Sequence, residues 1–356
     1  MNKIIHIASD VFQGLSQLPT FNLSFNQISD LDKDAFIGVK WSMLRLFLDY
    51  NNLITIPPGV FHGLLALEEI SFFANTIQLI STDAFLDLPS LRLLNLSRNQ
   101  ISILEPKIFH SLSQLELLDI SNNSLKTIKG FTFMGLREMV ELNLQFNLIQ
   151  ALEPFSLFGC SSLLVLHLGN NQIHTIHPGT FEGAYILTAL KLENNNLTFW
   201  PSEVTKPFRV LQTITLFNNL ISELQDGAFV GMVHLHTCNL SQNRITKIQE
   251  GVFIDLVNLR VLDLSRNYLS RLSSNILQLP KLKTLNISTN IIYDIHCDMF
   301  NGIAALEMLD LSDNQLRLVP SCTLENPSRA EGTERIRGGW QFAVQGSEDQ
   351  PDPGSE

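Results

Sequence analysis

Asparagine returns along this chain at a nearly constant interval, and that regularity constrains the fold more than any other feature. It stands at Asn2, Asn26, Asn51, Asn75, Asn99, Asn123, Asn147, Asn171, Asn195, Asn219, Asn243, Asn267, Asn290 and Asn314, a step of 24 residues broken once by 25 and once by 23. Such a period marks an array in which no unit can bury its own apolar face and each neighbour supplies the missing wall. Around the last thirteen asparagines the chain keeps the phrase L-x-x-L-x-L-x-x-N-x-L, with other apolar residues allowed at L. Leu91, Leu94, Leu96, Asn99 and Ile101 form one copy, and Leu259, Leu262, Leu264, Asn267 and Leu269 another. Cys238 takes the second apolar slot of a third.

The L-x-L core alternates with period two, so each repeat contributes one short strand with a single buried face. A carboxamide can donate and accept at once, so one Asn per coil satisfies the backbone groups of a buried bend. A further apolar residue follows five positions later, as at Ile56, Leu104, Ile128, Ile176 and Ile248. Phenylalanine usually stands ten positions past the Asn: Phe12, Phe36, Phe61, Phe85, Phe109, Phe133, Phe181, Phe229, Phe253 and Phe300 are expected to stack as a spine behind the sheet. With parallel strands ~4.8 Å apart, about fourteen coils give an arc roughly 60 Å long, curved because the outer path is longer than the strand side. After Asn195 the chain reads Leu197, Trp200, Pro201, Thr205, Pro207 and Phe208, and here Trp200 and Phe208 are expected to replace the missing spine residue.

Composition narrows the function. With 45% hydrophobic residues among 356, the chain has ample material for a core. A net charge of −11 disfavours nucleic acid and anionic membrane surfaces as main partners, since no basic patch exists to displace their counterions. No stretch reaches the ~18 uncharged apolar residues that spanning a bilayer needs, and the opening residues are too short and polar for a signal peptide. No G-x-S-x-G, H-E-x-x-H or GxxxxGK[ST] occurs, and His174 and His177, three apart, fall on a turn rather than a helix face. Neither a catalytic site, a cofactor nor a metal ion is expected.

The 24-residue phrase with its Phe spine resembles the extracellular leucine-rich repeat proteins: Toll-like receptor ectodomains, small matrix proteoglycans, and Slit, LINGO-type and hormone-receptor ectodomains. The resemblance covers residues 2 to about 320. It implies an α/β solenoid, a right-handed horseshoe with a parallel sheet on its concave face and irregular or 3-10 turns on its convex face. It implies a secreted or cell-surface recognition module, non-enzymatic, with a protein ligand or receptor as partner. A matrix binding protein of the leucine-rich proteoglycan type is the alternative.

Both ends depart from that pattern. The chain starts inside a repeat at Asn2, without the cysteine-bearing cap usual in the family, leaving Ile4, Ile7, Phe12 and Leu15 with no upstream neighbour. After Val319 the phrase fades, so residues 1–324 read as the solenoid and 325–356 as a disordered polar tail. A shortened form of a longer secreted or surface protein is expected, over a cytosolic repeat protein complete as written.

Function in such a stack lies with strand residues that point away from the core. Most read as small and polar, which suits a solvated floor. Phe47 and Phe73 break the run, with Tyr50 beside them and Arg45, Asp49 and Glu69 around them, a composition typical of a protein-binding hot spot. The bland alternative has Phe47 and Phe73 packing on each other across strands. A second candidate is His167, Lys191, Glu193 and Phe217, in which Lys191 and Glu193 alternatively form only a solvated pair. Sequons stand at Asn22, Asn95, Asn122, Asn196, Asn239 and Asn286, and glycans on the floor positions Asn22, Asn95, Asn239 and Asn286 would leave both candidate patches bare. Cys238 is expected to be an inert buried thiol, and Cys160 has no partner. Cys297 and Cys322 fall at nearly the same turn of adjacent coils, where a disulfide forms if their Cα atoms come within ~7 Å, against two free thiols.

Overall fold

A computed structural model describes residues 2–15, 17–273, 276–296 and 298–318. Thirteen parallel strands of three residues form one sheet, from Thr20–Asn22 to Met308–Asp310, with each strand paired only to its neighbours in chain order. The register never slips: Leu94 faces Leu118, Leu118 faces Leu142 and Leu142 faces Leu166. A single-residue slip would turn every one of these leucines outward, so the burial of the strand-centre apolar residue fixes the pairing. The first ladder residue, Asn2, belongs to a coil that adds no strand to this sheet. Its segment His6–Ile7 pairs instead with Asp30–Leu31 on the far side of the coil.

The Asn ladder explains why the step is so strict. Asn147 donates through Nδ2 to the carbonyls of Leu144 (3.1 Å) and Gln145 (3.4 Å) in its own coil and of Ile120 (3.0 Å) in the coil before. Its Oδ1 accepts the Leu125 N–H at 3.0 Å. The same side chain therefore closes its own bend and ties it to the preceding one, a pattern repeated from Asn51 to Asn314. Inserting one residue would leave several buried backbone groups unpaired, at ~1–3 kcal/mol each.

Behind the sheet the aromatic spine is buried, with Phe36 stacked on Phe61 and Phe109 on Phe133 at ring separations of 6.0 and 6.2 Å. Phe208 takes over at the irregular coil, its ring 4.9 Å from that of Phe181, while Trp200 is buried and donates Nε1–H to the Ala228 carbonyl at 2.9 Å. The outer wall is turns, the 3-10 segments Ile37–Val39 and Ser202–Thr205, and two-residue parallel bridges such as Thr127–Ile128 with Ala151–Leu152. The fold is thus a leucine-rich repeat solenoid with a parallel sheet on its concave face. Phe12 is half-buried against Phe21 and Phe36, and Leu15 is exposed. Cys160 and Cys238 are buried thiols pushed far up by loss of solvent, which makes them inert. Cys297, Cys322 and the 325–356 tail lie outside the described residues.

Candidate functional site

One backbone feature decides what the concave edge displays. The residue before each ladder Asn from Asn26 onward is left-handed: Phe25, Tyr50, Ala74, Arg98, Asn122, Phe146, Asn170, Asn194, Asn218, Gln242, Arg266, Thr289 and Asp313 have φ between 52° and 58°. This conformation is uncommon outside glycine, and it persists because the Asn bonds on one side and the strand on the other fix it. Residues in this column carry no core duty, so their side chains are free to vary.

At the N-terminal end the column holds Phe25 and then Tyr50, whose rings stack at 4.5 Å. Tyr50 meets the edge of Phe73 at 5.3 Å, and the Arg98 guanidinium lies 5.4 Å from the Phe73 ring centre. The result is a row of three rings and a cation across four coils, about 14 Å long at the strand spacing. Phe25 and Tyr50 are 49% and 43% exposed, too open to be core. Asp49 sits beneath the row: its Oδ1 accepts the Phe73 N–H at 2.9 Å and the Ser71 hydroxyl, so it positions the Phe73 backbone. Arg45 and Glu69 face each other across adjacent strands at 3.5 Å, an exposed guanidinium with a half-buried carboxylate, and so a pair of small energetic weight.

The structure therefore gathers Tyr50, Phe73 and Asp49 as the sequence suggested and adds Phe25 and Arg98. Phe47 belongs to a different column, at the end of the strand Arg45–Phe47, where it faces Asn22 and Ser71. Cross-strand packing of Phe47 on Phe73 is not the arrangement found. Phe25 and Arg98 each directly precede a ladder Asn, a spacing that could have revealed them.

The mid-arc patch is organised differently. His167 and Lys191 are register partners on neighbouring strands. His167 Nε2 contacts Glu141 Oε1 at 2.9 Å. Burial first, then the Lys191 ammonium, pushes His167 below the usual histidine value, while Glu141 and Glu193 pull the other way. Glu193 accepts the Thr215 hydroxyl at 2.6 Å and a Gln145 N–H at 3.4 Å, reaching Gln145 by lying across Gly169. A Cβ on Gly169 would stand 2.5 Å from Glu193 Oε1, so any larger residue forces that carboxylate to move. Glu193 is thus engaged with Thr215 and Gln145 rather than left as half of a solvated pair with Lys191. Phe217 is half-buried just beyond the next strand.

The floor itself departs from expectation. Ser97, Ser121, Ser241, Ser265 and Ser288 are buried, not solvated. The Asn or Asp that ends the strand, two residues earlier, turns its Oδ1 onto the serine N–H, as Asn95 does to Ser97 at 2.9 Å and Asp263 to Ser265 at 2.9 Å. These are local caps of the strand end. Of the sequon residues, Asn22, Asn122 and Asn196 are exposed, whereas Asn95, Asn239 and Asn286 are half-buried with Oδ1 held in such caps.

The leucine rich repeat family profile matches residues 41–101, 96–149, 137–197, 209–269 and 258–316. A comparison with curated proteins gives no match. Among solved structures, the chain is similar to a Leptospira interrogans leucine-rich repeat protein at 29% identity and TM-score 0.68, over 82% of this chain and 71% of that one. It shares its fold with TLR13 in a complex with ssRNA13, at 24% identity and TM-score 0.71, over 91% of this chain and 47% of that one. It shares it also with Toll of Drosophila in complex with Spatzle, at 22% identity and TM-score 0.70, over 87% of this chain and 49% of that one. The chain thus spans about half the length of the TLR13 and Toll chains. No helix among the described residues is long and apolar enough to cross a membrane. By the extent of the matching repeats, the chain belongs to the leucine rich repeat family.

Proposed function

We propose that this chain is the non-catalytic recognition part of a secreted or cell-surface protein, and that it engages a protein partner through the N-terminal edge of its concave sheet. A protein-interaction role agrees with the family and with the complexes formed by its structural neighbours. The observation that carries the reading is the ring row of Phe25, Tyr50 and Phe73 with Arg98 beside it. Phe25, Tyr50 and Arg98 are exposed and Phe73 is half-buried; the side chains order one another and supply the aromatic and Arg groups that dominate interface hot spots. Stacked rings lose little further rotamer freedom on binding, which favours a pre-organised surface. A protein is favoured over RNA because the chain carries −11 and offers no basic stripe for phosphates. The sequons fit a glycosylated extracellular chain, with glycans at Asn22 and Asn95 bordering the row.

The chain, secreted from cultured cells, is to be screened against extracellular proteins and each ligand titrated by surface plasmon resonance. A ligand whose affinity falls at least ~10-fold for Tyr50→Ala/Phe73→Ala, with the thermal midpoint retained, supports the proposal. A ligand that binds this variant as tightly as the parent chain refutes it.

A further inference from the structure

We propose that two copies of this chain pair through an aromatic patch on the outer wall, built from Phe131, Phe155 and Phe158 and centred on a two-fold axis. The patch grows from a column of outer turns in which the Lys107 N–H donates to the Phe131 carbonyl at 3.1 Å, the Phe131 N–H to Phe155 at 2.9 Å and the Phe155 N–H to Gly179 at 3.0 Å. Phe131 and Phe155 hold φ at 62° and 60°, where other coils of the same column place Gly59, Gly179 and Gly227 at 70°, 77° and 77°. A left-handed backbone is costly for a bulky side chain and free for glycine, so folding alone would favour glycine at both positions. Strain kept at two neighbouring coils points to a use for the rings.

The rings pack as a unit. Phe131 stacks on Phe155 at 5.7 Å, and Phe158 meets both edge-on at 5.6 and 6.4 Å. Phe131 is 40% exposed, and Phe155 and Phe158 are 43% exposed. Met134 and Tyr185, exposed on the same wall, carry the apolar surface across three coils. None of the six sequons falls between residues 129 and 186, so no glycan attached at one is anchored on these turns. At the ~150–250 Å² that an aromatic side chain presents, the open part amounts to roughly 400 Å² per copy. This is about half of the ~800 Å² that a standard interface covers on each partner, so a polar rim must supply the rest and the dimer is a weak one.

Charge selects a second copy as the occupant. Lys107 stands one coil before Phe131, exposed and without an ion pair among the described residues, whereas Lys129 is held by Glu105 at 3.1 Å. Beyond the rings the rim is acidic: Glu153 shares the turn of Phe155, and Glu182 stands one coil after Phe158. Glu182 borders the rings directly, since a Cβ on Gly179 would lie 3.8 Å from Glu182 Cγ and 3.9 Å from Phe155 Cε1. An apolar row with a cation at one end and acids at the other is complementary to itself turned by half a revolution. A two-fold axis through the rings therefore sets each Lys107 against the other copy's Glu182. Two outward-curving walls touch over only a few coils, which is the span of this patch. The concave edge stays free for its own partner.

The test is sedimentation equilibrium of the full chain, secreted from cultured cells, over a wide concentration range. The parent chain should dimerise with a dissociation constant on the order of 10–100 μM. Phe131→Gly/Phe155→Gly should weaken association at least ~30-fold while the thermal midpoint of the dilute monomer is retained, since glycine accepts the left-handed backbone. Lys107→Glu and Glu182→Lys should each weaken it at least ~5-fold. An equimolar mixture of these two should associate as the parent does, because only the mixed pair sets opposite charges together at both ends. That rescue does not depend on how the glycine variant folds. A parent chain still monomeric at ~0.5 mM, a dimer that withstands the glycine pair, or a mixture no better than its single variants overturns the proposal. Binding of a monomeric chain to phosphatidylcholine vesicles through these rings would overturn it too, by assigning them to a bilayer.

Discussion

The N-terminal aromatic edge and the mid-arc cluster occupy the same sheet, yet they treat their functional groups in opposite ways. At the edge, the polar residues are absorbed into local duties: Asp49 caps the Phe73 backbone, and Arg45 faces Glu69. What remains open is apolar ring surface at Phe25 and Tyr50. In mid-arc, by contrast, the polar groups satisfy one another, with Glu193 bridging Thr215 to Gln145 and His167 set against Glu141. A cluster that completes its own hydrogen bonds gains little from a partner, whereas exposed rings gain by losing water. On the proposed function, the exposed aromatic surface is therefore the docking site we favour, even though the mid-arc residues are chemically more varied.

The contrast breaks most sharply under Glu193→Ala. Removing a half-buried carboxylate leaves the Thr215 hydroxyl and Gln145 amide without their acceptor, and chemical denaturation should show a loss of about 2 kcal/mol, with partner affinity unchanged. Tyr50→Ala/Phe73→Ala should show the reverse, under about 1 kcal/mol in the same denaturation curve. Gly169→Ala comes next: its new Cβ displaces the Glu193 carboxylate from Gln145, at an expected ~1 kcal/mol, because a flexible side chain can swing aside. A loss as large as that of Glu193→Ala would show that Gly169 matters for more than room. Arg98→Ala should lower partner affinity only ~3-fold and cost at most about 0.5–1 kcal/mol of stability, the worth of an exposed guanidinium–ring contact such as the one over Phe73.

The smallest effect is a pH dependence. His167 has a folded-state pKa below its unfolded value, chiefly through burial, so the unfolded chain takes up its proton first as pH falls. Stability tied to this group is complete above pH ~6.5 and is lost as pH drops from there through the folded value. Denaturation between pH 7 and pH 5 should therefore show a shallower decline in His167→Gln than in the parent chain. Equal slopes would show that other groups dominate this window.

Much of this fold was legible before any coordinates. The interval between Asn75 and Asn99 dictates parallel strands in register, and the spacing of Phe109 from Asn99 dictates the spine, because both follow from groups that must be buried and paired every turn. Even the irregular coil could be read, since Trp200 and Phe208 were the residues of the right size near the vacant spine position. The site was legible only in part. Tyr50 and Phe73 stand out by composition, but Phe25 joins them only because the residue before each ladder Asn from Asn26 onward is left-handed, and that column accepts Ala74, Arg98 and Asn194 alike. The residues held in this column share no side-chain chemistry that would have marked it in the sequence. The serine row misled for a related reason: Ser97 looks like a solvated floor residue until Asn95 is seen to cap it.

The most direct measurement is hydrogen–deuterium exchange on the chain with and without a bound protein partner. If the concave N-terminal edge is the recognition surface, partner-dependent protection should concentrate on the coils that carry Phe25, Tyr50, Phe73 and Arg98 and leave those from Glu141 to Phe217 unchanged. Protection centred on His167 and Glu193, or confined to the convex turns, would contradict the account.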